Sequence, residues 1–294
     1  MDNKAFFLKR YESFGIPQND ALSFKEKQII RVNTAAINEK KLITRLAEKN
    51  IFLEKVPFLS KGYIVSSDVS IVSTIEYLLG YFYIQESSSQ IVGECIARDL
   101  KESDFSKIRV LDMCASPGGK TTHMSEILRQ KGEIIALENN PKRIDRLRYN
   151  LERMGSQNVL AFQKDATLFT DENLFDIILL DAPCSGNFTQ EKQWFEKRTL
   201  KDIQSRVVIQ KKLLNTAKTL LKKEGSIYYI TCSLEKEENE EVIEDIVEKD
   251  KSLTLASIPF SLGEEGLTKR TVLCKRFLPS KGFPPLFIAK LTKI

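Results

Sequence analysis

Apolar residues recur along the chain first at helical and then at strand spacing. Phe6, Phe7, Leu8, Tyr11 and Phe14 predict a helix that Gly15-Ile16-Pro17 breaks, and a second helix is expected near residues 20–28. The period then shortens. Ile29-Ile30-Arg31-Val32-Asn33 predicts a strand, Glu39 to Lys49 an amphipathic helix, and residues 51–56 and 62–66 further strands. Residues 1–75 therefore read as a small α+β unit. Residues 76–106, which contain Tyr77-Leu78-Leu79-Gly80-Tyr81-Phe82-Tyr83, read as a bridge to a main domain over 107–294.

From residue 107 strands and helices alternate. Strands are expected at 107–113, 133–138, 158–163, 175–181 and 226–231, and helices at 119–131, 141–154, 200–223 and 238–249. Such alternation specifies a parallel α/β sheet with right-handed crossovers. A last strand at 285–291 follows irregular chain and is expected antiparallel at a sheet edge. No repeat period emerges.

Composition narrows the chemistry. The 294 residues are 42% hydrophobic and 29% charged, an ordinary globular balance. No run approaches the roughly 20 apolar residues of a membrane span, so a soluble, unexported protein is expected. Cys95, Cys114, Cys184, Cys232 and Cys274 form neither a CxxC pair nor an even disulfide framework, which fits a reducing cytoplasm. A single histidine, His123, excludes a multi-histidine metal site, and no metal is expected. The net charge of +5 comes from the middle of the chain, where Lys142, Arg143, Arg146, Arg148 and Arg153 crowd one predicted helix. A polyanionic partner is allowed, although a solvated basic face gives the same pattern.

In an open parallel sheet, ligands bind beyond the carboxyl ends of the strands. The first strand of the main domain runs into Asp112-Met113-Cys114-Ala115-Ser116-Pro117-Gly118-Gly119-Lys120-Thr121, a tight turn opening a helix. It is neither GxGxxG nor a P-loop, which disfavours a dinucleotide or a triphosphate. The second strand ends at Glu138, suited to accept from both hydroxyls of a ribose, and the third at Asp165, suited to an adenine amino group. Any one such acid also serves as a helix cap, but three in register do so less readily. Ribose and adenine without a diphosphate grip point to S-adenosyl-L-methionine.

Two further strands deliver cysteines to the same mouth, one through Asp181-Ala182-Pro183-Cys184-Ser185-Gly186 and the other through Thr231-Cys232-Ser233. Cys95 and Cys274 read instead as buried, inert thiols. A methyl donor paired with thiols suits carbon 5 of cytosine, a poor nucleophile until a thiolate adds at carbon 6 and makes the ring an enamine. The thiolate needs an electropositive setting, such as Lys120 or a helix N-terminus. Asp181 is placed to hydrogen-bond the base as charge develops on it.

These residues carry a resemblance. The chain resembles the Sun (Fmu) family of RNA cytosine-5 methyltransferases, most closely compact archaeal members acting on transfer RNA. The resemblance rests on Arg31-Val32-Asn33-Thr34, the segment from Gly80-Tyr81 to Ser89, Asp112 to Thr121, Asp181 to Gly186, Thr231 to Ser233 with Glu237-Glu238-Asn239-Glu240, and Phe287 to Leu291. It implies a Rossmann-like domain with a mostly parallel seven-stranded sheet and a small N-terminal domain resembling an RNA-recognition fold. It implies that Cys232 is the nucleophile and that Cys184 assists product release. Spacing alone leaves those roles open, because DNA cytosine-5 methyltransferases place their nucleophile in a Pro-Cys dipeptide like Pro183-Cys184. It further implies that Cys114, Ala115, Ser116, Pro117, Gly118, Gly119, Lys120, Glu138, Arg143, Asp165 and Asp181 line the cofactor site, with Lys120 and Asp181 also facing the base. Ser116 stands where alanine is usual, and the segment Lys275-Arg276-Phe277-Leu278-Pro279 lacks a histidine seen in many relatives.

The expected partner is an RNA, transfer RNA first, bound by a monomer whose target base leaves its stack to be reached. Ribosomal RNA is an alternative substrate. An exocyclic-amine methyltransferase would need no thiol and would carry an Asp/Asn-Pro-Pro-aromatic motif where Asp181-Ala182-Pro183-Cys184 stands. A non-catalytic RNA-binding factor would have no use for both cysteines.

Overall fold

The computed structural model describes residues 3–17, 22–25, 27–101 and 103–294. The helix expected near 20–28 lies partly outside them. The chain forms two compact units: residues 27–164 make one, and residues up to 26 join 165–294 to make the other. These boundaries differ from those expected at 75 and 106.

In the 27–164 unit, β1 (Ile29–Val32), β2 (Phe52–Lys55), β3 (Gly62–Ser66) and β4 (Phe82–Ile84) form an antiparallel sheet in the order β2-β3-β1-β4. β4 comes from the expected bridge. Helix α1 (Asn3–Glu12) precedes this unit in sequence, and α2 (Glu39–Ala47) is started by Asn38, whose side chain accepts from the Lys40 and Lys41 amides. Leu42 and Leu46 of α2 bury with Ile30, Val32, Ile51 and Phe82. The short helix α3 (Ile75–Leu78) and the longer α4 (Ser87–Asp99) flank β4 in sequence. The same unit contains the parallel strands β5 (Arg109–Asp112), β6 (Glu133–Glu138) and β7 (Val159–Gln163), joined by α5 (Gly119–Ile127) and α6 (Pro141–Arg153). Helix α5 stops earlier than expected because Arg129 and Gln130 take positive φ. Ile144, Leu147 and Leu151 of α6 bury against Ala115 and Ala136, leaving its basic residues Lys142, Arg143, Arg146 and Arg148 exposed.

Buried polar side chains join the antiparallel sheet to α5 and α6, which is why 27–164 is one unit. Arg31, fully buried on β1, donates to the Gly119 carbonyl (2.9 Å), Thr122 Oγ1 (2.9 Å) and Glu126 Oε1 (2.8 Å), and also to Gln85. Asn33 donates to the carbonyls of Gly80 (2.9 Å) and Met154 (3.0 Å). Gly80 itself admits no side chain: its φ is +67°, and a Cβ would lie 1.8 Å from the Arg153 carbonyl oxygen. Removing Arg31 leaves the buried Glu126 carboxylate with only the long 3.9 Å contact of Lys61 and strips three further acceptors of their donor, so Arg31→Ala is expected to destabilise the protein by about 3 kcal/mol or more. Chemical denaturation checks this; a loss under 1 kcal/mol would show that the network is marginal.

In the other unit β8 (Phe175–Asp181) pairs in parallel with β9 (Leu221–Thr231). The first turns of this region are the short α7 (Trp194–Lys197) and the long α8 (Leu200–Leu220), whose start carries a reciprocal capping box between Thr199 and Asp202. α8 ends three residues before the expected position because Leu221 already pairs with Phe175. Helix α9 (Glu240–Lys249) leads to β10 (Leu253–Ala256), β11 (Glu264–Glu265), β12 (Lys275–Phe277) and β13 (Leu286–Lys293). β13 is antiparallel as expected, but it is not an edge strand: it pairs with β9, β12 and β10. The short strands β10, β11 and β12 had no periodic signal. Helix α1 belongs to this unit through an aromatic core, with Phe7 edge-on to Trp194 at 4.8 Å and Tyr11 buried beside Phe195 and Leu278.

Among the described residues no helix is long and apolar enough to cross a membrane, and no group of three or more His, Cys, Asp or Glu residues is placed to hold a metal ion.

Candidate active site

The predicted site residues fall into two groups, one in each unit. In the 27–164 unit the turn 112–121 joins β5 to α5. Thr121 Oγ1 donates to Asp112 Oδ2 at 2.7 Å, and the Ala115 amide donates to the Leu137 carbonyl at 2.9 Å, which seats the turn beside the end of β6. Gly118 caps α5 with φ +105°, a left-handed conformation that glycine adopts without strain. Arg143 ties the expected cofactor residues together. Its guanidinium donates to the Ser116 carbonyl at 2.8 Å and stands 3.4 Å from Glu138 Oε2, while Ser116 Oγ donates to the Arg143 carbonyl at 2.9 Å. Cys114, Ala115, Ser116, Pro117, Gly118 and Gly119 thus lie in one turn with Glu138 and Arg143 beside it, and half-buried Lys120 sits at the start of α5.

Glu138 is 3% exposed, and its Oε1 accepts from the Asn140 amide at 2.9 Å. A carboxylate has about four acceptor positions. The amide and the long Arg143 contact leave acceptor capacity for a ligand's hydroxyl pair, so this carboxylate fits an S-adenosylmethionine ribose. Tyr83 and Asn150, not expected from the sequence, hold the Pro117 carbonyl at 3.3 and 2.8 Å. Tyr83 is recognisable only in retrospect, as the strand position of β4 whose ring faces Gly119.

In the second unit Asp165 is exposed and does what a capping residue does: its Oδ1 accepts from the amide and hydroxyl of Thr167, each at 2.8 Å. Asp181, the last residue of β8, lies in register with Ile230 of β9, so the two strands end almost level. The following loops bring Cys184 and Cys232 together, their sulfurs 3.2 Å apart, both half-buried and not joined in a disulfide. The other cysteines differ. Cys95 is wholly buried and its thiol is pushed up to about 12, and burial raises the Cys274 thiol as well. His123 is buried against Gly93, where desolvation holds it well below its ordinary value and therefore neutral.

Several residues around the two thiols carried no predicted role. Asn187 Nδ2 donates to the Cys232 carbonyl at 2.9 Å. Trp194 Nε1 and Arg198 Nε both donate to the Ser185 carbonyl at 2.9 Å. Arg276 Nη1 donates to both Glu240 carboxylate oxygens, at 2.8 and 2.9 Å, in a buried ion pair, and its Nη2 donates to the Leu234 carbonyl. Arg10 of α1 reaches Glu235 and Glu237, and Tyr11 donates to Glu235 Oε1 at 2.8 Å, so the helix that opens the chain braces the segment after Cys232.

A parallel α/β core of this kind, with a glycine turn after its first strand and a carboxylate closing the second, is that of a Rossmann-like S-adenosylmethionine-dependent methyltransferase. The family described as 16S rRNA methyltransferase RsmB/F matches residues 97–292, and the chain belongs to it. The N-terminal domain of 16S rRNA methyltransferase RsmF matches residues 6–87. Ribosomal RNA small subunit methyltransferase F of Shewanella woodyi is 36% identical over 241 residues, covering 79% of this chain and 50% of that protein. The tRNA (cytosine(72)-C(5))-methyltransferase of Pyrococcus horikoshii is 37% identical over 217 residues, covering 73% of this chain and 53% of that protein. NSun6 from Pyrococcus horikoshii, crystallised with the cofactor analogue SFG, superposes with a TM-score of 0.85 at 25% identity over 97% of both chains. The chain spans about half to three-fifths of the length of the ribosomal RNA methyltransferases it matches.

Proposed function

We propose that the protein methylates carbon 5 of cytosine in RNA, in the cytoplasm, with S-adenosylmethionine as donor. The observation that carries this reading is the pair of sulfurs 3.2 Å apart at the ends of neighbouring parallel strands. An exocyclic-amine methyltransferase has no use for such a pair.

Cys232, as thiolate, adds to carbon 6 of the ring, and electron density moves to carbon 5, which takes the methyl group. The bound cofactor would supply that methyl as an electrophile, its sulfonium leaving as the neutral thioether of S-adenosylhomocysteine. Cys184, as thiolate, then accepts the carbon 5 proton, the released electron pair re-forms the carbon 5–carbon 6 double bond, and the carbon 6–sulfur bond breaks to free Cys232 as thiolate and restore the aromatic ring. Asp181 hydrogen-bonds the base, Lys120 lowers the energy of the anionic states, and residues 114–120, Glu138, Arg143 and Asp165 bind the donor. The family resemblance supports these assignments.

If Glu138 accepts from the ribose, Glu138→Ala should weaken cofactor binding about tenfold to a hundredfold, the worth of one charge-assisted hydrogen bond. Calorimetry with S-adenosylhomocysteine reads this directly; unchanged affinity would remove Glu138 from the cofactor site.

Transfer RNA is the first substrate reading, supported by likeness to the Pyrococcus enzyme over 73% of the chain. Small-subunit ribosomal RNA is the second, favoured by the match of residues 6–87 to the RsmF N-terminal domain. Incubation with methyl-labelled donor and either total transfer RNA or small ribosomal subunits, followed by mass spectrometry of the digested RNA, decides both questions. Label in 5-methylcytidine supports the reaction, label in N4-methylcytidine contradicts it, and the labelled RNA identifies the substrate.

A further inference from the structure

Cys184 and Cys232 lie on separate loops, and a 3.2 Å separation needs something that fixes the loops to one another. Each cysteine is followed by a serine, Ser185 and Ser233, both buried, with their hydroxyls 3.3 Å apart. Against Ser185 lies Glu238, wholly buried. Its Oε1 accepts from the Ser185 amide at 2.9 Å and from Gln210 Nε2 of α8 at 3.0 Å, and its Oε2 accepts from Ser185 Oγ at 2.5 Å. Ser233 is linked to this carboxylate through Ser185, whose hydroxyl lies between the two. Buried carboxylates are rare unless fully satisfied, because leaving one poorly paired is costly.

We propose that Glu238 is the positioning residue of the cysteine pair: it fastens the Ser185 amide and hydroxyl, the hydroxyl in turn meets that of Ser233, and the distance between the two reactive sulfurs is fixed through this chain. It touches neither sulfur. The inference deepens the proposed function and rests on it for its catalytic consequence, though not for the geometry. The Ser185 amide, the Ser185 hydroxyl and the Gln210 amide all present hydrogens to the Glu238 carboxylate, so the site is built for an acceptor-only group, which an ionised carboxylate is and an amide is not. Desolvation raises Glu238 above the ordinary carboxylate value, and its donors oppose that shift. A direct tie from Asn187 Nδ2 to the Cys232 carbonyl supplements the clamp.

The test is Glu238→Gln, which keeps the shape and turns an NH2 group toward the donors. Thiol proximity is read without any RNA, by treating the protein with diamide and mapping the Cys184–Cys232 disulfide by mass spectrometry; the two thiols are oxidised as diamide is reduced to its hydrazine. The wild-type pair should cross-link at least about tenfold faster than the variant's. In parallel, kcat for RNA methylation should fall about tenfold to a hundredfold, with KM for RNA and cofactor affinity changed less than twofold. Ser185→Ala and Ser233→Ala, which leave the carboxylate in place, should each give part of the loss, and they serve if the glutamine variant does not fold. Cross-linking and kcat at wild-type levels in all three variants would overturn the clamp. Wild-type protein that cross-links rapidly but methylates no RNA would instead overturn the proposed function and leave the clamp standing.

Discussion

Cys232→Ala lowers RNA methylation by about 10⁴-fold or more while the protein still binds S-adenosylmethionine and melts near the wild-type temperature, because removing a covalent nucleophile costs that much in comparable reactions. The size follows from the chemistry. Without sulfur addition at carbon 6, carbon 5 of cytosine has almost no tendency to take a methyl group, and the other half-buried thiol of the β8 and β9 loops, Cys184, is assigned to proton removal rather than to attack. The substitution removes one sulfur from a polar loop whose hydrogen bonds run through Ser233, Asn187 and the Cys232 carbonyl, all of which alanine keeps. Methyl transfer to a 5-methylcytidine product, followed by scintillation counting, measures it. Retention of more than a tenth of wild-type activity would mean that the nucleophile lies elsewhere.

Cys184→Ala has the second largest effect and the opposite signature. Addition and methyl transfer proceed, but the carbon 5 proton has no acceptor, so turnover falls by roughly 10³-fold and the protein stays bonded to its RNA. The adduct should appear as a slow band on a denaturing gel and disappear when Cys232 is also replaced. A Cys184→Ala variant that turns over freely, with no band, would assign proton removal to another group. The two predictions interlock, since exchanging the roles of the cysteines exchanges which single variant traps RNA.

Much of this was legible in the sequence because the signals are local. A strand of four to seven apolar residues followed by a loop of fixed composition places Asp112 to Lys120, Glu138, Asp181, Cys184 and Cys232 at strand ends with no tertiary information. Levelness of the β8 and β9 ends, and hence the meeting of the sulfurs, follows from parallel pairing. Asp165 is the ambiguous case: strand-end position marked it, and the structure gives it the capping contacts that any Asp before a 3-10 turn makes. Long-range contacts were not legible. Arg31 meets Glu126 across 95 residues and Asn33 meets Met154 across 121, so Arg31-Val32-Asn33 looked like strand composition rather than the bolt that makes 27–164 one unit. Likewise Phe7 and Tyr11 suggested only a helix; their burial against Trp194 and Phe195, near 190 residues away, places α1 with the C-terminal half. Glu238 sits in a run of acids, Glu235 to Glu241, that looks solvated by composition, yet Glu235, Glu238 and Glu240 are buried on specific donors. The strands β10 to β12 are too short, at two to four residues, to show a period.

The most direct measurement uses RNA in which cytidine is replaced by 5-fluorocytidine, whose fluorine cannot leave as the proton does, so that a covalent complex persists after methyl transfer. Nuclease and trypsin digestion followed by mass spectrometry then locates the sulfur that holds the methylated nucleotide. Attack by the thiol of the loop after β9 predicts the added mass on the peptide containing Cys232 and nowhere else. Mass on the peptide containing Cys184, or wild-type protein recovered with no nucleotide attached despite active methylation of ordinary RNA, contradicts it.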